Sequence, residues 1–417
     1  MYSANEFKQL EIRNSYRLRE LRRTAYIIGV NLSAPTARKR WLCVITLLLL
    51  ILSFIGLYPR WLMLQHAEGD IPLIAETTTT ALQTTTTMVK ITYFLIMQHQ
   101  CQFLLHKVET HELLQSIEIF TTDMPIKMQL KQEIDAVMDT SWREARRQLL
   151  GSLITCASII SNYFFNALFT NLYNQIRGTP DYVHILPFTG YPMFLDKGMT
   201  SFYYAAEMFI GGCSLLAAGM CSVSFHCIFM VLSKHACGLV QVLCVLLEKS
   251  TSPLVPKHRR DEYLRYCVIQ HQRTLEFIND INELFKHITL SHFLHSLAIY
   301  GFVLFEMNFG LETNKITFVR MLMYIGAALT VDSMYYVNGQ YLATELEAIP
   351  VACYNCQWYN ESEDFKKTLK LIIMRSNKEF CFQISWFGVM SLTTLLGILK
   401  ASFSYFLILQ DITDEED

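Results

Sequence analysis

Residues 149–176 run for 28 positions without a charged side chain. A helix that long exceeds the roughly 30 Å of hydrocarbon in a bilayer. Lipid offers backbone groups no hydrogen-bond partners, so a spanning segment must satisfy its own, and an isolated strand with open edges cannot. The segment is therefore predicted to be a membrane-spanning helix. Six further stretches read the same way: residues 42–64, 72–105, 198–247, 288–309, 316–343 and 380–410. The second is interrupted by Glu76 and Lys90, the sixth by Arg320 and Asp332, and the seventh only by Lys400. Residues 198–247 are too many for one crossing, so their end should project into water. Apolar residues make up 52% of the chain and charged residues 17%, against about 25% charged in soluble domains. The expectation is an all-α membrane protein with seven transmembrane helices, which excludes a soluble enzyme and a disordered chain.

Orientation follows from the positive charges, which accumulate on the cytosolic side. Of 35 Lys and Arg residues, 27 fall in the N-terminal segment and the loops after spans two, four and six. Five fall in the alternate loops, and Lys90, Lys234 and Lys400 lie inside apolar segments. This predicts a cytosolic N-terminus and an extracellular acidic C-terminal tail, opposite to a G-protein-coupled receptor. The first 41 residues are polar and show no signal-peptide pattern. The sequons at Asn31 and Asn360 should then face the cytosol and stay unmodified. The expected divisions are residues 1–41, a cytosolic segment; 42–350, spans one to six with cytosolic helical extensions; 351–379, a cytosolic linker and amphipathic helix; 380–410, the seventh span; and 411–417, the tail. The net charge of −2 creates no field suited to nucleic acid.

The segments outside the membrane also read as helical. Leu113, Leu114, Ile117 and Phe120 recur at helical spacing before Pro125, and a second helical stretch leads into span three. A turn with two prolines, at residues 250–260, separates span four from a helix that starts near Asp261. Residues 365–378 set Leu369, Ile372 and Ile373 against Lys366, Lys367, Lys370 and Arg375, an amphipathic helix. Such apolar surface in water predicts either packing within the chain or a subunit interface. The absence of an internal repeat argues against a secondary transporter.

Motifs for enzymatic chemistry are missing: there is no phosphate loop, dinucleotide fingerprint, zinc-protease motif or nucleophile elbow. His111-Glu112 lacks the second histidine of a zinc site. Cys353 and Cys356 form a lone CxxC, read as two buried thiols. The other cysteines sit mostly within spans as small hydrophobes, so neither a disulfide framework nor a cofactor is expected.

The threonine-rich run at residues 77–87 is unusual for a span. Its hydroxyls can bond back to the preceding turn, so it serves either close helix packing or one wall of a cavity for a small ligand. Candidate ligand contacts are Thr80, Gln83, Thr84 and Thr87 on span two; Asn162 and Phe165, beside Phe164, on span three; Tyr204 and Met208, beside Tyr203, on span four; and Met321 and Tyr324 on span six. Charges inside spans are costly and often functional, which singles out Glu207, Asp332 and Lys400. Glu76 and Arg320, nearer the ends, are expected to snorkel. In span seven, Asp411 stands between Ile408 and Ile412 at a helix C-terminus, where the macrodipole disfavours an acid. A solvated helix end and a ring of carboxylates attracting cations both fit. A single helix cannot enclose a pore, so the second reading requires several subunits around an axis.

Three passages carry a family resemblance: GILKASFSYFLILQ at residues 397–410, GQYLATELEAIPVACYNCQWYN at 339–360, and IIMRSNKEF at 372–380. Together they resemble the C-terminal motifs of insect odorant receptors. Glu379 departs from the pattern, standing where proline is common, and Cys353 stands where isoleucine usually precedes the tyrosine. The resemblance implies an odorant-gated, non-selective cation channel, assembled as a tetramer of a common coreceptor and a variable tuning subunit. It implies that span seven lines the pore, with Ile408, Asp411 and Ile412 at the gate. It also implies that cytosolic ends of spans four to seven form an anchor domain, and that the odorant pocket lies between spans two, three, four and six. The chain lacks the coreceptor's long insertion between spans two and three, so a tuning subunit is expected. Its implied partners are a small volatile odorant, coreceptor subunits, permeant cations and membrane lipid. Its implied place is the plasma membrane of olfactory sensory neuron dendrites. A gustatory-type homotetrameric channel is the alternative; a metabotropic seven-helix receptor is opposed by the missing DRY and NPxxY motifs and by the orientation.

Overall fold

The computed structural model describes residues 4–32, 40–67, 70–110, 125–178, 186–187, 201–313, 315–378 and 380–416. Two short helices, α1 (Ala4–Arg17) and α2 (Arg19–Ile27), precede the long ones. These are α3 (Arg40–His66), α4 (Ile71–Thr110), α5 (Lys127–Arg177), α6 (Ser201–Glu248), α7 (Arg260–Thr313) and α8 (Lys315–Asn355). An amphipathic helix α9 (Glu363–Ser376), a hairpin of β1 (Gln383–Ile384) and β2 (Gly388–Val389), and a last long helix α10 (Leu392–Glu416) complete the chain. Among the described residues, six helices are long and apolar enough to cross a membrane: α3, α5, α6, α7, α8 and α10. Helix α4 is the seventh long element; its threonines, Glu76 and Lys90 leave it without a membrane-length stretch as apolar as those of the other six. The helix expected around Leu113 to Phe120 lies outside the described residues.

Helix α6 is the centre of the bundle, packing on α5, α8, α7 and α4. Of its most apolar stretch 78% is buried, against 17% for α3 and 6% for α5. Nearly every side chain from Cys221 to Leu247 is covered. An aromatic cluster ties the layers together. Phe225 meets Phe94 of α4 edge-on at 4.3 Å, and Phe229 lies 5.1 Å from Phe285 of α7 and 5.3 Å from Phe382. Such aromatic pairs contribute about 0.5–1.5 kcal/mol each beyond their burial. Helix α3 by contrast exposes Leu47, Phe54 and Trp61, an outward face suited to lipid.

Helices α6 and α7 continue well beyond a bilayer's thickness, as their sequence suggested, and so does α8. The extensions of α7 and α8 pack with α9, which Ser362 caps by accepting from the Phe365 amide at 3.1 Å, a standard N-cap arrangement. Phe365, Leu369 and Ile372 of α9 are buried, while Leu371 and Met374 are exposed. The N-terminal helices are clamped from below α4: Arg22 donates both terminal nitrogens to Glu109, at 2.7 and 3.1 Å.

The last segment differs from its sequence reading. Residues 380–391 do not begin the helix but form the hairpin, and α10 starts at Leu392. Ser385 turns the chain in the left-handed region, at φ 49°. The Gln383 amide donates to Asn282 Oδ1 at 2.8 Å and Met390 to the Phe382 carbonyl at 2.9 Å. Those bonds satisfy backbone groups that helix would otherwise pair, and a periodicity argument cannot foresee them. Helix α10 then packs along α7, where Ser402 donates to the Leu297 carbonyl at 3.0 Å. Its other face, with Leu396, Phe403, Leu407 and Ile408, is exposed.

Candidate ligand-binding site

A cavity of about 160 Å³ opens between α4, α5, α6, α7 and α8. Small residues make the space. Thr80 and Thr84 stand on α4, Ala218, Gly219 and Ser222 on α6, and Ala327 and Ala328 on α8. A Cβ on Gly219 would come within 2.7 Å of Cys156 Sγ and Ile160 Cδ1, so glycine is what lets α5 approach here. Helix α5 contributes Ser152, Thr155, Cys156, Ile159, Ile160 and Tyr163. That is one helical stripe, with each member three or four residues from another.

The threonine hydroxyls are largely turned inward on their own helix. Thr80 donates to the Thr77 carbonyl at 3.0 Å, Thr84 to Thr80 at 2.9 Å and Thr87 to Gln83 at 2.8 Å. Their protons are therefore committed, and Thr80 and Thr84 present methyl groups and oxygen lone pairs to the cavity rather than donors. Above this belt Tyr324 donates to Gln83 Oε1 at 3.2 Å. Glu76 and Arg320 do not snorkel separately as expected: they pair at 2.6 Å, across α4 and α8, so each neutralises the other. Thr79 Oγ1 lies 2.7 Å from the buried Glu306 Oε1.

The opposite end of the cavity is polar. Asp332 Oδ1 accepts from Ser296 at 3.0 Å and lies 2.8 Å from His292 Nε2, while Oδ2 accepts from Tyr300 at 2.7 Å. Lys90 Nζ stands 3.4 Å from His226 Nε2, and Thr86 bonds His295 at 2.9 Å. Lys90, His226, His292, His295 and Asp332 all line the cavity. Of the intramembrane charges noted in the sequence, Asp332 reaches it, whereas Lys400 is exposed on α10. Glu207 is buried elsewhere on α6.

Of the ten candidate contacts, Thr80, Gln83, Thr84 and Tyr324 line this cavity. The other six lie off it. Thr87 is buried on a neighbouring face of α4. Asn162 points to Met323 Sδ, at 3.5 Å, on the surface. Phe165 is exposed and stacked on Phe169 at 5.8 Å. Tyr204 accepts from Asn171 at 2.7 Å. Met208 is buried away from the lining, and Met321 packs with Ile299 and Val303. The rotation of α5 separates them: position 163 falls on the stripe, while 162 and 165 do not. The three histidines at the polar end were not among the sequence candidates, because lone histidines inside apolar runs carry no periodic signal. In α10, Ile408 and Asp411 are exposed, and the side chain of Ile412 lies outside the described residues.

A family model described as 7tm Odorant receptor matches residues 70–403. The chain belongs to the odorant receptor family. It is 40% identical over 421 residues to odorant receptor 63a of Drosophila melanogaster, covering 100% of both chains. It is 26% identical over 399 residues to odorant receptor 67b of the same species, covering 94% of each. In three dimensions it resembles the insect olfactory receptor OR5 from Machilis hrabei, with a TM-score of 0.74 at 13% identity, covering 96% of this chain and 99% of that one. The same protein in complex with eugenol matches with a TM-score of 0.73 at 14% identity, over the same shares of the two chains. The chain is thus an insect-type odorant receptor and a multi-pass membrane protein, and its helical bundle is the fold of the solved receptor.

Proposed function

We propose that this receptor is the odorant-tuning subunit of a ligand-gated, non-selective cation channel, and that the α4–α8 cavity is where the odorant binds. The observation that carries the reading is the cavity itself. An enclosed apolar space of about 150 Å³ accommodates a benzene-sized molecule, and this one measures about 160 Å³. Its walls are mostly apolar with a few fixed polar groups, as small-molecule sites are. Odorant packing in it would favour the bundle arrangement that fits better and shift the population towards an open channel.

The pore is formed by α10 from several subunits. Its exposed apolar face, beside the polar Lys400 and Asp411, suits a helix whose partners are other copies rather than this chain. Ile408 and Ile412 form the gate and Asp411 sets the charge at its mouth. The N-terminus lies in the cytosol, where α9 and the extensions of α6 to α8 form the anchor. The exposed Leu371 and Met374 of α9 and the nearly free Trp386 of the hairpin provide apolar surface for neighbouring subunits. Coreceptor chains complete a heterotetramer in the dendritic membrane of an olfactory neuron. The test is current recording against an odorant panel in cells that express the receptor with and without a coreceptor. Odour-evoked cation current only in the co-expressing cells supports the reading; full current from the receptor alone replaces the heterotetramer with a homotetramer.

A further inference from the structure

Resting on the cavity being the ligand site, we infer that its polar end selects small neutral carbonyl compounds, with the carbonyl oxygen accepting a hydrogen bond from Lys90. Lys90 is 3% exposed and lines the cavity. Its ammonium has three donors and no acceptor, yet its hydrogen-bond contact among the described residues is the long one of 3.4 Å to His226 Nε2. Donor capacity therefore remains in a place that water reaches poorly. Buried donors left unused are costly, so a ligand that supplies an acceptor gains more here than in an apolar pocket.

The surroundings decide which acceptor. The protons of Thr80 and Thr84 are bonded to their own helix and the Thr79 hydroxyl lies against Glu306, so they do not compete for the ligand oxygen. Asp332 lines the same cavity and lies within electrostatic range of Lys90. It holds a countercharge for the lysine and repels a ligand carboxylate. A neutral acceptor fits this balance and an anion does not. A carbonyl accepts without bringing a proton of its own, whereas an alcohol does both. The lining of α4 from Thr79 to Lys90 spans about 16 Å along the helix. An extended molecule could thus lay its apolar body among Ile159, Ile160, Leu215 and Val223 and its oxygen at Lys90.

The experiment measures binding directly, by thermal stabilisation of the purified receptor, and uses an alkane, an alcohol, a methyl ketone and a carboxylate of equal chain length. The ketone should bind roughly tenfold or more tighter than the alkane, the range expected of a hydrogen bond from a charged donor. The carboxylate should be weakest. In Lys90→Met the ketone advantage should vanish while alkane binding persists. Equal binding of ketone and alkane, a tightest carboxylate, or a ketone preference that survives Lys90→Met would each overturn the inference. The wild-type series decides the matter even if the variant does not fold. Because gating is not needed for the readout, a receptor that shows the ketone preference but passes no current refutes the channel reading alone. Conversely, currents without the preference refute this inference alone. Stabilisation by none of the four would remove both the cavity as ligand site and the selectivity claimed for it.

Discussion

Replacing Ala327 by phenylalanine should close the odorant site without dismantling the receptor. Ala327 lines the cavity on α8 and is buried. The substitution introduces a benzene-sized ring into a space of about 160 Å³, and a cavity of about 150 Å³ holds one such ring. A ligand with the apolar area of an aromatic side chain, about 200 Å², gains about 5 kcal/mol from burial at about 25 cal/mol per Å². Losing that contact raises the half-maximal odorant concentration by up to about four thousandfold, at tenfold per 1.4 kcal/mol. Overpacking itself costs about 1–3 kcal/mol when a core is already full, and an existing void reduces that cost. The assay is a concentration–response curve of odorant-evoked current, with surface labelling to count assembled receptor. Phe169→Ala, on the exposed outer face of α5, is the control and should stay within a fewfold of wild type. A normal response from well-expressed Ala327→Phe would show that odorant binds elsewhere.

Three further outcomes are expected. Asp411→Ala should change relative cation permeability while leaving the order of odorant preference intact, as read from reversal potentials; unchanged permeation in an assembled channel would remove Asp411 from the pore. Burial would raise the Glu109 carboxyl, but bonds from Arg22 and Ser15 outweigh it and hold the group below its ordinary value of 4.5. A depressed carboxylate contributes stability above its unfolded value and loses it as pH falls through the folded one, so thermal stability of the solubilised receptor should drop below about pH 4.5. Glu109→Gln should lower the plateau by about 1–3 kcal/mol and flatten that acid limb; an unchanged profile would contradict the clamp. Gly339→Ala should destabilise by about 1–3 kcal/mol, because a Cβ there overlaps the Met390 carbonyl and sits 2.7 Å from Met390 Cβ. Since Met390 leads into α10, an altered resting current should accompany the loss; wild-type melting and currents would show that the hairpin yields freely.

What the sequence made legible was set by lipid. Long, largely apolar runs located α3, α5, α6, α7 and α8, because a crossing must be long and must pair its own backbone. The excess length of residues 198–247 and the pattern after Asp261 anticipated that α6 and α7 extend outside the bilayer. The C-terminal motifs named the family because they are dense and specific. The candidate cavity was legible along α4, whose threonines and Gln83 advertise themselves, at Tyr324, and in the intramembrane charge of Asp332. Choosing between Tyr163 and Phe165 required the rotation of α5 about its axis, and an apolar helix surrounded by lipid and protein gives little moment from which to read it. That the polar end is one cluster escaped, because Lys90 and Asp332 come from helices far apart in sequence and meet three histidines only after folding. The hairpin before α10 escaped because its residues are as apolar as the helix that follows; a side chain of α7, Asn282, holds its first strand.

The central claim is that a volatile molecule in this cavity opens an ion-conducting pore made partly by this chain. Excised outside-out patches, bathed in nucleotide-free solution and exposed to an activating odorant, test it most directly. The account predicts brief unitary cation currents that appear within the exposure, and that disappear when Ala327→Phe replaces the wild-type subunit. Silence in such patches, with whole-cell responses that depend on added guanine nucleotide, would contradict it.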